Sequence, residues 1–171
     1  VAGSLDSIAL GHGAKCIRSA SITVGLDAYT QTANSISIGS SASNGNLGIN
    51  PNNGVNQIAI GRIASTAHDG CIAIGFDARA LNNSSAALYA ISIGCKSRAR
   101  GAQSISLGYL AKVSGTNSIA IGTNAYVNNY LSKCIAIGYS ATIDDGGYSI
   151  AIGLYANCGG NTGYSKISIG Q

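Results

Sequence analysis

The sequence predicts an all-β chain wound into a parallel β-solenoid of about eleven coils. Three observations predict it: a pentapeptide that recurs eleven times, a basic spacing of 14 residues between its closing glycines, and a composition that offers no ordinary core. The copies are SIALG at 7–11, SITVG at 21–25, SISIG at 35–39, QIAIG at 57–61, CIAIG at 71–75, AISIG at 90–94, SISLG at 104–108, SIAIG at 118–122, CIAIG at 134–138, SIAIG at 149–153 and KISIG at 166–170. Their glycines lie 14, 14, 22, 14, 19, 14, 14, 16, 15 and 17 residues apart. A unit this short cannot bury its own apolar residues, but it can bury them against the units above and below.

The composition agrees. Of 171 residues, 46% are hydrophobic and 9% charged, where ordinary domains carry about 25% charged residues. With 24 Gly, one Pro, one Phe and neither Trp nor Met, Ile and Ala must build whatever is buried. Ser, Asn or Gly breaks every apolar run well before the roughly 18 residues of a membrane helix. The lack of Met marks the stretch as an excised or processed piece, so a missing leader or anchor says nothing about location.

Within the pentapeptide, the position three before the glycine is Ile in all eleven copies, and the position one before it is Ile, Leu or Val. These two columns read as a strand with its Ile side chains inward. Between them the residue is always Ala, Ser or Thr: Ala9, Thr23, Ser37, Ala59, Ala73, Ser92, Ser106, Ala120, Ala136, Ala151 and Ser168. Side chains alternate along a strand, so this small column is expected to face away from the Ile. The glycine suits a corner, because it takes positive φ without steric cost.

Three residues beyond the glycine stands Ala in nine of ten complete copies, with Ser97 the exception. Two further on, the residue is mostly small or apolar, from Cys16 to Cys158. A second short strand with both slots inward and the residue between them outward accounts for this. Insertions fall after that strand; the longest, around 43–56 and 81–89, are Asn-rich and read as surface loops, the first holding Pro51. No linker interrupts the pattern, so 1–171 is expected to be one domain.

An outward column without charge or bulk is what a second sheet needs for close approach. The small column, Ala9 to Ser168, is therefore the expected interface of a closed cyclic homo-oligomer.

The pattern S-I-A-I-G-x-x-A near period 14, and above all GTNSIAIGTNAYV at 115–127, resembles the head repeats of trimeric autotransporter adhesins, the YadA-like group, and related repeats of phage and large-virus fibres. The resemblance implies a left-handed parallel β-roll and three chains side by side. It also implies a head that binds host surface or extracellular-matrix components, shown on the outer face of a cell (outer membrane) or of a virion.

Five cysteines, Cys16, Cys71, Cys95, Cys134 and Cys158, form no C-x-x-C pair and give neither a disulfide framework nor a zinc ribbon. Cys16 and Cys158 read as core residues. Cys71 and Cys134 replace the first Ser of the pentapeptide, where quiet burial is favoured over an interchain bridge. His12 and His68 stand in different repeats, with no acidic or nucleophilic residue that the column alignment brings alongside as a catalytic match, Glu is absent, and Asp144-Asp145 suits a turn, so no enzyme and no cofactor are expected.

The net charge of +4 conceals a concentration. Lys15, Arg79, Arg98 and Lys112 share the outward slot of the second strand, Lys96 and Arg100 lie close in sequence, and Tyr126 occupies the slot after Lys112. These seven form the candidate ligand-contact face, suited to acidic surfaces and sulfated glycans. Nucleic acid is not an expected partner, and membrane contact would need further chain. Eight of nine tyrosines follow residue 88 and mark that half as a second candidate surface.

The function expected is multivalent attachment by a surface-displayed head. The rival is a structural fibre segment with its receptor-binding tip elsewhere.

Overall fold

The computed structural model describes residues 2–45, 54–81, 88–128, 131–160 and 165–170. Each pentapeptide supplies a three-residue strand, from β1 (Ile8–Leu10) to β21 (Ile167–Ile169), and each following segment a two-residue strand, from β2 (Lys15–Cys16) to β20 (Asn157–Cys158). Long and short strands alternate, and no helix occurs among the described residues. The eleven long strands stack in chain order as one sheet and the ten short strands as another. All pairing is parallel and in register, so Ile22 lies between Ile8 and Ile36. The two longest insertions leave this intact: Ile36 pairs with Ile58, and Ile72 with Ile91. The insertions themselves, with Pro51, fall largely outside the described residues.

The corners explain the glycine. Gly25 sits at φ 136, and a Cβ there would lie 2.5 Å from the carbonyl oxygen of Gly39 in the next coil. Backbone stacks directly on backbone, leaving no room for a side chain. Two residues later the chain again takes positive φ, as at Asp27 (φ 51) and Asn124 (φ 56). This turns the N–H toward the preceding coil, where Asp27 donates to His12 O at 2.9 Å and Asn124 to Tyr109 O at 2.9 Å.

The leading Ser also has a structural task. Ser35 N donates to Ser21 Oγ, Gln57 N to Ser35 Oγ, Cys134 N to Ser118 Oγ, and Lys166 N to Ser149 Oγ, at 3.0–3.2 Å. Each hydroxyl takes up a backbone donor at the same place in the next coil, a donor that would otherwise be buried unpaired.

The interior inverts one expectation. Thr23, Ser37, Ala59, Ala73, Ser92, Ser106, Ala120, Ala136 and Ala151 are fully buried, while Ala9 and Ser168 in the end strands are half-buried. The small column is the inside of the coil, and side chains that reach no surface cannot form a subunit interface. The Ile columns point outward: Ile38, Leu107 and Ile152 expose 37%, 41% and 39% of their surface. The reason is width. The two sheets of a 14-residue coil lie so close that Thr23 Oγ1 meets Thr30 Oγ1 across the interior at 2.7 Å, and two files of Ile do not fit in that space.

The short strands agree with the sequence reading. Ala14, Ala28 and their equivalents, and the slots from Cys16 to Cys158, are buried. The residues between them are exposed or half-buried, except Ser43 and Ser65, which are covered. None of the five cysteines is in a disulfide; Cys95 is half-buried and the other four are buried. Cys71 and Cys134 are thus covered within the chain itself.

Candidate functional site

Two faces of the solenoid are open, and they differ in chemistry. The long-strand sheet shows the paired Ile columns along its whole length. This face, which sequence reasoning placed inside, is an uncharged apolar surface repeated coil by coil. A clue was present in the sequence: a column that never holds a large side chain in eleven copies is a confined one.

The short-strand sheet carries four of the ten cations, Lys15, Arg79, Arg98 and Lys112. Strands β10 (Arg79–Ala80), β12 (Arg98–Ala99), β14 (Lys112–Val113) and β16 (Tyr126–Val127) are successive neighbours, and their register sets Arg79, Arg98, Lys112 and Tyr126 in one file. Lys96 is exposed at the corner before β12, and Arg100 follows that strand half-buried, its backbone N–H bonded to Val113 O at 2.8 Å. Lys15 is not part of this group, because Tyr29, Ser43 and Ser65 stand between it and Arg79 in the file.

The charges are poorly compensated. Arg79 Nε donates to Asp77 Oδ1 at 2.7 Å, the one ion pair among the described residues. Arg98 Nε is buried without a hydrogen-bond partner. Partial burial, with the nearby Arg100 and Arg98 guanidinium groups, pulls the Lys112 ammonium below the ordinary lysine range. Its Nζ lies 5.0 Å from the ring centroid of Tyr126, a cation–π contact. Burial first, then Asp144, pushes the Tyr126 phenol up, against the opposing pull of Arg100.

The tyrosines are partly engaged with their neighbours. Tyr139 and Tyr155 meet edge to face at 5.4 Å, and Lys133 Nζ lies 5.0 Å from the Tyr148 ring. Tyr130 and Tyr164 lie outside the described residues. His12 is exposed, His68 is buried, and no group of three or more His, Cys, Asp and Glu side chains fit to hold a metal occurs among the described residues.

The coils with the cleanest 14-residue spacing in the second half match the family model for the YadA head domain repeat, in two copies over 99–125. Over these residues the chain is similar to the YadA head repeat. The match includes Arg100, Lys112, β13 (Ile105–Leu107) and β15 (Ile119–Ile121), so two copies of the outward apolar pair and part of the cationic group lie inside the matched residues. Among solved structures, the collagen-binding domain of the Yersinia adhesin YadA is similar at 23% identity and a TM-score of 0.47, over 84% of this chain and 69% of that one. No curated protein matches the chain.

Proposed function

We propose that this chain is the head of a surface-displayed, non-catalytic adhesin that attaches multivalently to host surface, glycan or matrix components. The YadA head repeat supports the adhesin class. The observation that carries the assembly is the outward Ile face. A monomer seldom exposes a contiguous apolar patch beyond a few hundred square ångströms, and this one runs through every coil. The occupant best fitted to it is a second copy of the chain, because only an identical solenoid presents apolar columns at the same coil spacing over the same length. The interface is thus the columns of Ile22, Ile36, Ile72 and Ile119, in place of the small column; three copies follow from the family resemblance.

Light scattering on the reduced 171-residue chain is expected to give three chain masses, and Ile72→Lys with Ile119→Lys to give monomers that keep their β circular dichroism. A stable wild-type monomer overturns the assembly. Attachment of the assembled head to cultured cells or immobilised collagen is the expected sign of adhesion. Folded trimers that bind neither favour the structural fibre segment.

A further inference from the structure

We infer that the cationic file on the short-strand sheet is a binding site for a linear sulfated glycan, laid along the solenoid axis across Arg98, Arg100 and Lys112 and flanked by Lys96 and Arg79. This rests on the adhesin reading and gives it one ligand class.

Four arguments lead there. First, the site has fixed spacing: Arg79, Arg98 and Lys112 occupy matched positions on neighbouring strands, so their stems rise at about 4.8 Å per coil. A flat file of this kind suits an extended ligand with charges at intervals along it, and offers little to a compact anion. Second, the cations lack internal counter-charge. Asp77 engages Arg79 alone, and Arg98 Nε is buried with no acceptor. Burial first, and then the Arg100 and Arg98 guanidinium groups, depress the proton affinity of Lys112, so like charges stand close together at this place. Third, two of the central residues are Arg, whose planar forks bind oxyanions in bidentate fashion. Fourth, the Tyr126 ring closes the file and offers an amphipathic edge suited to a sugar.

Nucleic acid fits less well. Single strands are held by successive aromatic platforms; the stretch of the file from Arg79 to Tyr126 has one ring, already in contact with the Lys112 ammonium.

The test uses the 171-residue chain, a size-defined heparin oligosaccharide, its desulfated form and an oligothymidylate of similar charge, by titration calorimetry at physiological salt. Heparin is expected to bind and desulfated heparin not to bind. Arg98→Ser, Arg100→Ser and Lys112→Ser together should weaken heparin at least tenfold. The equal charge loss of Lys15→Ser, Arg18→Ser and Lys166→Ser should change it less than twofold. On the wild-type chain, which needs no variant to fold, the Lys112 side-chain pKa followed by NMR should rise when heparin is added. Absence of binding, equal losses in the two triple variants, or an unmoved Lys112 overturns the site. Oligothymidylate binding as tight as heparin, with the same dependence on the triple variant, overturns the glycan in favour of nucleic acid. Cell attachment that survives the Arg98/Arg100/Lys112 variant, with heparin binding lost, removes this site's role in adhesion and leaves the adhesin reading standing. Heparin binding without any cell attachment does the reverse.

Discussion

The first and second halves of the solenoid share one backbone and fill it in opposite ways. Toward the N-terminus the interior is a hydroxyl and amide relay: Thr23 donates to Thr30, Thr30 to Ser37, and Ser37 to the Tyr29 carbonyl, at 2.7, 2.8 and 3.2 Å. Asn44, Gln57 and Thr66 continue it, with Thr66 Oγ1 at 2.7 Å from Asn44 Oδ1 and 2.6 Å from Gln57 Oε1. In the later coils the same slots hold Val113, Val127 and Ile143 against Ala120, Ala136 and Ala151, one dry cluster. The narrow coil therefore fixes the volume of the filling and leaves its polarity free, provided every polar atom finds a partner. Gln57 Nε2 and Ser106 Oγ, buried without one, show where the polar filling is incomplete.

Substitutions at equivalent places in the two halves separate what belongs to the filling from what belongs to the frame. The largest effect is expected from Ile143→Ala, where the lost methyl and methylene groups leave a cavity worth about 2–5 kcal/mol, read by urea denaturation. Next come Gly25→Ala and Gly108→Ala, one per half. Each Cβ would lie 2.5 Å from the next glycine's oxygen at φ 136 or 137. Both should cost about 2–4 kcal/mol, and equal values would show that the corners are indifferent to the filling. Thr30→Val strands the hydroxyls on either side and should cost about 1–3 kcal/mol, whereas Thr23→Val, Thr30→Val and Ser37→Ala together should be nearly neutral. If the triple variant costs more than Thr30→Val alone, the relay is needed as a whole and the two fillings are not equivalent.

Two smaller effects sharpen the contrast. Ile63 and Asn124 occupy the same corner position, at φ 53 and φ 56, but a β-branched residue is poorly suited to it. Ile63→Asn should stabilise by about 1 kcal/mol, seen as a higher melting temperature. Burial pushes the Cys71 thiol up, against hydrogen bonds that lower it. The unfolded chain then loses its thiol proton first, so this group's contribution is full below the unfolded pKa of about 8.5 and declines as pH rises through the folded value. Cys71→Ser should flatten the stability curve over that alkaline range; an unchanged curve would place the titration elsewhere.

Periodicity made the coil count, the two strands per coil and the corner glycines legible in the sequence. Alternation also sorted the residues of each long strand into two faces, Ile8 and Leu10 against Ala9. It did not say which face was inside. The usual preference for apolar burial pointed the wrong way, because confinement in a narrow coil selects by size and not by hydrophobicity. The basic file was legible for Arg79, Arg98 and Lys112, whose slots repeat, and failed for Lys15, which shares the slot but stands coils away. The hydroxyl relay was not legible, since Thr23, Thr30 and Ser37 become neighbours only once two sheets are folded face to face.

The stacked glycines have a consequence for growth. Gly39 meets Gly61 across a spacing of 22 residues as closely as Gly25 meets Gly39 across 14, with the added Cβ placed 2.5 Å from the next oxygen in both cases. The pitch of the rod is therefore blind to how much chain each coil carries at its open edge. New sequence can enter there like a page tipped into a bound book, lengthening one turn while the spine, and with it the spacing of every site along the rod, stays where it was.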